Sequence, residues 1–396
     1  MNKYNDQWSP PIWVLSLGAG LAPFAVTLVA PAIPAMAIDL KADSNIAQLV
    51  LTTLLLSIAV GQLVAGPLSD RFGRKSLFLG GAIAYCVAGF GAVLSDTIEG
   101  IIFFRVIQGF GAAAAVAMSR SIVVDFYGRD RAASVMSTII AMMAIIPIFG
   151  TSLGGILTDL VGWHGSFFML AITGLVLAIF VGTQIQETHQ PEHVFTFKDA
   201  LMGYRELLGT DRFLASALTT AFQTAVFFAM MGFIAYSFER MSISPKEFGV
   251  WMATTSVGYV IGNLANKRLL KRYPIEIITL VGAIASLICL VLMEFWYNAA
   301  PYSPMGLAIP MLLVGLSNGV IIANSIIIAS SVIPRLRGSA TGLVGAMQMG
   351  AGGISGTVAI WLGADQDTNV GILTLLVISF FSLISAWWSS RLQQLQ

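Results

Sequence analysis

The sequence predicts an all-α membrane protein of twelve spanning helices, arranged as two pseudo-symmetric six-helix bundles. Three observations lead there. Hydrophobic residues make up 57% of the 396 positions and charged residues only 10%, against about 25% charged in soluble domains; mean hydropathy is +0.83. So much apolar surface cannot be hidden in a water-soluble core. Apolar runs of the ~20 residues that cross a bilayer recur along the whole chain. Two charged loops of the first half return, altered, at matching places in the second.

The N-terminal MNKYNDQWSPP is polar and carries one cation, Lys3. The apolar stretch after it, from Ile12 to about Ile38, is much longer than the ~7–15 apolar residues of a signal peptide and reads as a retained first span. Further runs fall at 46–68, 76–95, 98–119, 133–158, 165–184, 213–237, 247–265, 275–296, 305–330, 339–362 and 370–390. Their connections are very short, except for 186–212. There Phe197, Leu201 and Tyr204 recur at helical spacing within FTFKDALMGYRELL, the pattern of a short amphipathic helix on the membrane surface. The expected organisation is a first bundle over 1–185, a cytoplasmic linker over 186–212 and a second bundle over 213–396.

Charge orients this scheme. With the N-terminus inside, the inner segments hold Lys3, Arg71, Arg74, Lys75, Arg120, Arg129, Arg131, Lys198, Arg205, Arg212, Lys267, Arg268, Lys271, Arg272, Arg335, Arg337 and Arg391, 17 of the 21 Lys and Arg. The opposite side keeps Lys41, Arg240 and Lys246, and Arg105 lies within a span. Basic residues are retained on the cytoplasmic side, and an even number of spans returns the chain to its starting side. Both termini are therefore expected in the cytoplasm, with the lipid bilayer as the constant partner and the inner (bacterial cytoplasmic) membrane as the location.

The halves repeat each other. GPLSDRFGRK at 66–75 follows the second span and GNLANKRLLKR at 262–272 follows the eighth, with Gly66, Asp70 and Arg71 matched by Gly262, Asn266 and Lys267. GRDRAAS at 128–134 follows the fourth span and PRLRGSA at 334–340 the tenth, with Arg129 and Arg131 matched by Arg335 and Arg337. Duplicated halves around a central linker imply a transporter whose site lies between them near the membrane midplane.

These stretches also carry a resemblance. GPLSDRFGRK fits the loop signature of the major facilitator superfamily. FFRVIQGFGAA at 103–113 resembles the fourth-span motif of its twelve-span drug:proton antiporter group, and PIFGTSLGG at 147–155 resembles the fifth-span antiporter motif. PAIPAMAIDL at 31–40, RSIVVDFYGRDRAAS at 120–134, GWHGSFFML at 162–170 and GSATGLVGAMQMG at 338–350 are similar to the Bcr/CflA/EmrD-like subgroup. The resemblance spans essentially the whole chain and implies the major facilitator fold. In that family the first loop latches the two halves when the cavity opens outward. It implies that Asp70 caps the helix beginning near Gly338 and that Arg71 pairs with Asp125, with Gly66, Gly73 and Arg74 completing the motif. The alternative is purely topological, positive charge holding the loop inside.

Candidate transport residues follow. Arg105 is the basic residue buried in a span, where a charge costs about 2.5–3.5 kcal/mol on insertion scales. It is either a substrate or proton-coupling group or a side chain satisfied by carbonyls and by Gln108. Thr27, Gln223, Asn318, Asn324 and Gln348 are polar residues in apolar spans, and Phe227 opens FFAMMGF, whose Met and Phe suit varied amphipathic ligands. Each of these also reads as ordinary helix packing. Pro147 with Gly150, Gly154 and Gly155 predicts a bend with close helix approach, or simply a packing interface. Many relatives carry an Asp in the first span where this chain has Thr27; Asp39 and Glu294, at the outer ends of their spans, and Asp159, which ends the fifth, are the acids that could carry a coupled proton, each also readable as a solvated helix-end acid.

Several patterns are set aside. Gly109 and Gly111 imitate a nucleotide fingerprint inside an apolar span with no preceding strand. His189 and His193 flank Pro191 without further ligands. No metal site, cofactor, ATP motif, enzymatic constellation or nucleic-acid patch is expected, and Cys86 and Cys289 read as packing residues. The expectation is a monomeric secondary transporter, not an enzyme, that exports small amphipathic compounds or drugs by alternating access, with protons as counter-substrate. The alternative is export of one anionic metabolite, a siderophore or amino-acid derivative, to which the Arg105 charge would be suited.

Overall fold

The computed structural model describes residues 8–188, 197–301 and 303–394, and among them there is no strand. His189 and His193 lie outside the described residues. The first span is interrupted: α1 (Ile12–Val29) passes through a 3₁₀ turn at Ala30–Ala32 into α2 (Ile33–Asp39). Pro31 and Pro34 cause the break, since each removes a backbone donor just where the helix changes pitch. Next come α3 (Ser44–Phe72), α4 (Arg74–Val93), α5 (Ile98–Val161) and α6 (His164–Gln184). The amphipathic α7 (Phe197–Leu208) follows, and then α8 (Asp211–Arg240), α9 (Pro245–Leu269), α10 (Ile275–Ala299), α11 (Pro304–Ser331), α12 (Arg337–Trp361) and α13 (Thr368–Gln394).

Helix α5 departs from the expected pair of spans with a loop at 128–134. Its backbone is helical over all 64 residues, which in a straight rod would reach about 96 Å. The chain instead doubles back within it. Gly18 of α1 abuts Ser119 while Gly20, half a turn on, abuts Ile146. A straight helix would hold Ser119 and Ile146 about 40 Å apart. The two limbs, before Tyr127 and after Ile145, therefore both line α1 and serve as two spans.

Among the described residues ten helical segments are long and apolar enough to cross a membrane, and 145–161 is a shorter apolar segment; the chain is a multi-pass membrane protein. Helix α9 falls below that apolar threshold because it carries many polar residues along its length. It is wedged between α5 and α11, and its polar Thr255, Ser256 and Asn266 are buried while Val250, Val257, Ile261 and Leu264 point outward. Its contact with α11 is made backbone to backbone. A Cβ on Gly258 or Gly262 would stand 2.1 Å from the carbonyl oxygen of Leu312 or Leu316, and one on Gly315 or Gly319 at 2.0 or 2.3 Å from that of Thr255 or Tyr259. Only glycine allows this approach.

Helices α1 and α3–α6 pack on one another, as do α8–α13, and the two groups meet mainly along α3–α12 and α5–α9. Buried Gly203 and Leu207 of α7 face the second group, where Leu207 and Tyr204 join Phe213, Ala340 and Leu343. Leu201, Met202 and Leu208 are exposed on its other side. Leu201 therefore does not share the buried face that includes Tyr204, because that face meets α12 rather than lipid. Tyr204 reaches across to the first group, its hydroxyl donating to the Leu63 carbonyl at 3.3 Å. Burial pushes this phenol up, so it keeps the proton it donates.

Candidate functional site

The charged corner is built where α3 ends. Gly73 takes φ +89, which reverses the chain so that Arg74 folds back over the last turn of α3. The Arg74 guanidinium pairs with Asp70 at 2.7 Å and with Asp125, near the end of the first limb of α5, at 3.0 Å. It also donates to the Ser69 hydroxyl. The Asp125 partner expected to be Arg71 is thus Arg74, because the turn at Gly73 carries Arg71 outward, where its guanidinium lies 5.3 Å from the Phe72 ring centre. Asp70 spends its charge on Arg74 within its own half, and open space surrounds Gly66 and Gly338. Glu187, which the sequence did not single out, caps α4. Its carboxylate accepts from the backbone N–H of Arg74 at 2.9 Å and of Lys75 at 3.2 Å, a favourable place for an anion. No local pattern betrays it, since it lies more than a hundred residues from the helix it caps.

In the matching corner of the second half the position of Asp70 is held by the neutral Asn266. Asn266 and Asn324 exchange two amide hydrogen bonds, at 2.8 and 3.1 Å, and both are buried.

Arg105 has no exposed surface. Its Nε donates to the Val50 carbonyl at 3.0 Å, Nη2 to the Ala25 carbonyl at 3.0 Å and Nη1 to Gln108 Oε1 at 2.8 Å. The Phe167 ring lies 5.5 Å below it, close enough for a cation–π contribution. One side chain thereby ties α1, α3, α5 and α6. Thr27, half a turn further along α1 than Ala25, donates to its own helix at Pro23 and presses on Gly150. Gly154 touches the Leu28 carbonyl, and Gly155 touches Pro245 of α9, so the small residues after Pro147 make close contacts on two sides.

The polar residues of the second half form two groups inside its bundle. Gln223 donates to Ser286 at 2.7 Å and to Asn318 at 2.5 Å, joining α8, α10 and α11. Gln348 donates to Thr220 and Thr224 at 3.0 and 3.1 Å, joining α12 to α8. The half-buried Phe227 lies edge-on to Phe228, whose ring fills the space beside Gly352. The acids at the opposite end from Asp70 are not assembled with these groups. Asp39 accepts from the Trp163 indole at 2.8 Å. Glu294 accepts from Asn298 at 2.9 Å, and its second oxygen is buried without a partner among the described residues.

Between the halves, α3 presents Gln48, Thr52 and Gln62 to glycines of α12. The hydroxyls of Thr52 and Thr357 meet at 2.6 Å, and Thr52 also donates to the Gly353 carbonyl at 3.2 Å. This polar track was missed in the sequence, although 48, 52 and 62 share one helical face. Among the described residues no cluster of potential metal ligands occurs.

Comparison with known proteins supplies the remaining findings. The family model described as Major Facilitator Superfamily matches residues 15–356 and 213–393. A bicyclomycin resistance protein homolog of Haemophilus influenzae is 27% identical, covering 98% of this chain and 100% of its own. A chloramphenicol resistance protein of Pseudomonas aeruginosa is 28% identical, covering 98% and 89%. Among solved structures, a D-xylose-proton symporter superposes with a TM-score of 0.76 at 14% identity, covering 96% of each chain. A nucleoside transporter superposes at 0.74 with 15% identity, covering 96% of this chain and 98% of its own. The two structural likenesses bear on the fold alone.

Proposed function

The chain belongs to the major facilitator superfamily, and from that premise we propose that it exports small amphipathic compounds, antibiotics among them, by alternating access driven by inward proton movement. The observation that carries this reading is likeness over nearly the whole chain to relatives named for bicyclomycin and chloramphenicol resistance. The names do not favour the alternative of one anionic metabolite. In this reading the protein sits in the bacterial cytoplasmic membrane with both termini inside, as the positive charge of its loops supports.

The geometry supports rocking of two bundles along α3–α12 and α5–α9. Arg105 and Gln108 take the role of a coupling hub. The carbonyls that satisfy Arg105 belong to α1 and α3, so a shift of α1 against α3 releases a desolvated cation that a ligand or an approaching group can take up. Asp39 and Glu294 are the acids that load and release the proton, and Glu294 is the stronger candidate because one oxygen is buried with no partner among the described residues. Gln223, Phe227, Asn318, Asn324 and Gln348 give the second bundle its polar and aromatic share of the path.

The test is transport by the purified protein in liposomes under an imposed pH gradient, with cationic, neutral and anionic compounds offered in parallel. Accumulation of several unrelated amphipathic compounds that collapses with the gradient is expected. Movement that ignores the gradient would remove proton antiport, and selective movement of a single anion would remove the drug reading.

A further inference from the structure

Gln48 stands at the end of α3 remote from the charged corner, about 33 Å from Asp70 along the helix. It belongs to the first bundle, yet its side chain lies in a notch walled by two glycines of the second. A Cβ added to Gly356 of α12 would meet Gln48 Nε2 at 2.6 Å, and one added to Gly232 of α8 would meet it at 3.0 Å. The side chain is 2% exposed. Its Oε1 has no hydrogen-bond partner among the described residues. One turn further in, the Thr52–Thr357 hydroxyl contact at 2.6 Å continues the seam. Towards the other end the seam loosens. Gly345 still meets Gln62, a Cβ on Gly342 would stand 4.0 Å from the Gln62 carbonyl, and Gly338 faces open space.

We infer that Gln48 is the positioning residue that closes the remote side of the transport path, its amide acting as a knob that must leave the Gly232–Gly356 notch before that side opens. The chemistry makes the closure reversible. The amide fills the notch by shape, while its oxygen is held dry and unbonded, a state that a buried polar atom tolerates poorly. Opening to water returns hydrogen bonds to that oxygen and exposes the backbone beside the glycines. Closing recovers the contacts of a well-filled hole. The two states are thus near in free energy, which a gate that must swing both ways requires. A leucine of similar size would fill the hole without the penalty and favour closure.

This inference rests on the alternating-access reading, but its test needs neither substrate nor gradient, so the two can fail separately. Cys86 and Cys289 are first replaced by serine. Spin labels at Asn45→Cys and Gln366→Cys then report distance across the remote end, and labels at Ser76→Cys and Gly338→Cys report the charged end. Gly356→Ala is expected to lengthen the remote-end distances and shorten those at the charged end. Adding Gln48→Ala to Gly356→Ala is expected to restore the original distributions, because the smaller knob again fits the smaller hole. Gln48→Leu alone should narrow the remote-end distribution toward the closed state. If Gly356→Ala does not accumulate, Gly232→Ala, with its looser 3.0 Å approach, carries the same prediction. Unchanged distances in the glycine variants, or no restoration by Gln48→Ala, would overturn the assignment.

Discussion

Two corners of the molecule occupy equivalent places in its internal repeat and are built from opposite materials. In the first half, Asp70, Arg74 and Asp125 form an ion cluster with side chains 13–26% exposed. In the second half, Asn266 and Asn324 form a neutral, buried amide pair. Partly hydrated ions exchange partners at little cost, because water takes over whatever bond is lost. A buried amide pair has no such substitute, and separating it strands two polar groups. The difference teaches that each half ties its own corner internally by different means: the first with ions that water can replace, the second with a buried pair that it cannot.

The most disruptive way to break this contrast is to make the second corner ionic. Asn266→Asp would bury a carboxylate against the Asn324 oxygen with no cation beside it, costing about 3 kcal/mol. The melting temperature in detergent should fall accordingly. Burial raises the folded-state pKa of such an acid, so the folded form binds the proton more tightly than the unfolded chain. The deficit is therefore full near neutral pH and shrinks as pH is lowered toward ~4. A variant as stable as the parent would mean that the second corner tolerates charge and that the contrast is accidental.

Arg74→Ala tests the first corner. It removes the one cation shared by two carboxylates, and because these are partly hydrated the stability loss should stay near 1 kcal/mol. Turnover should fall more, about tenfold if some 1.4 kcal/mol of the cluster belongs to one access state only. A drop in melting temperature that accounts for all lost flux would make the cluster merely structural. The smallest effects should separate the neighbours. Asp70→Asn is expected to slow turnover about threefold while substrate affinity is unchanged, and Arg71→Ala to leave both near parental values, since Arg71 rests beside Phe72 outside the ion cluster. Flux and binding measured side by side distinguish them, and a larger loss in Arg71→Ala would show the cluster rearranging around Arg71 during transport.

Much of the architecture was written in the apolar runs, because lipid demands a continuous apolar face wherever a helix meets it. Where a helix is shielded from lipid, that signal fades. The run at 247–265 was still long enough to mark α9, and the runs at 98–119 and 133–158 marked the two limbs of α5; what the runs did not foresee is that the turn joining those limbs is itself helical. The corner was half legible. Asp70 and Arg74 stand four apart, a pairing spacing on any helix, but two arginines lie within reach of Asp125 and only the backbone turn at Gly73 chooses between them. Arg105 was conspicuous as a charge in an apolar run, whereas its carbonyl partners on α1 and α3 left no trace, since every residue has a carbonyl. Gln48 was harder still. One glutamine in an apolar run says little, and the glycines that receive it are far away in the chain.

The interleaved glycines of α9 and α11 have a consequence for how such a chain can diversify. Gly258, Gly262, Gly315 and Gly319 each face a carbonyl at a separation where no side chain fits. A side chain at any one of the four would force the two helices apart. The contact of α8 with α12 is built from side chains instead, Phe228 beside Gly352 and Gln348 on Thr220 and Thr224, where one partner can change at a time.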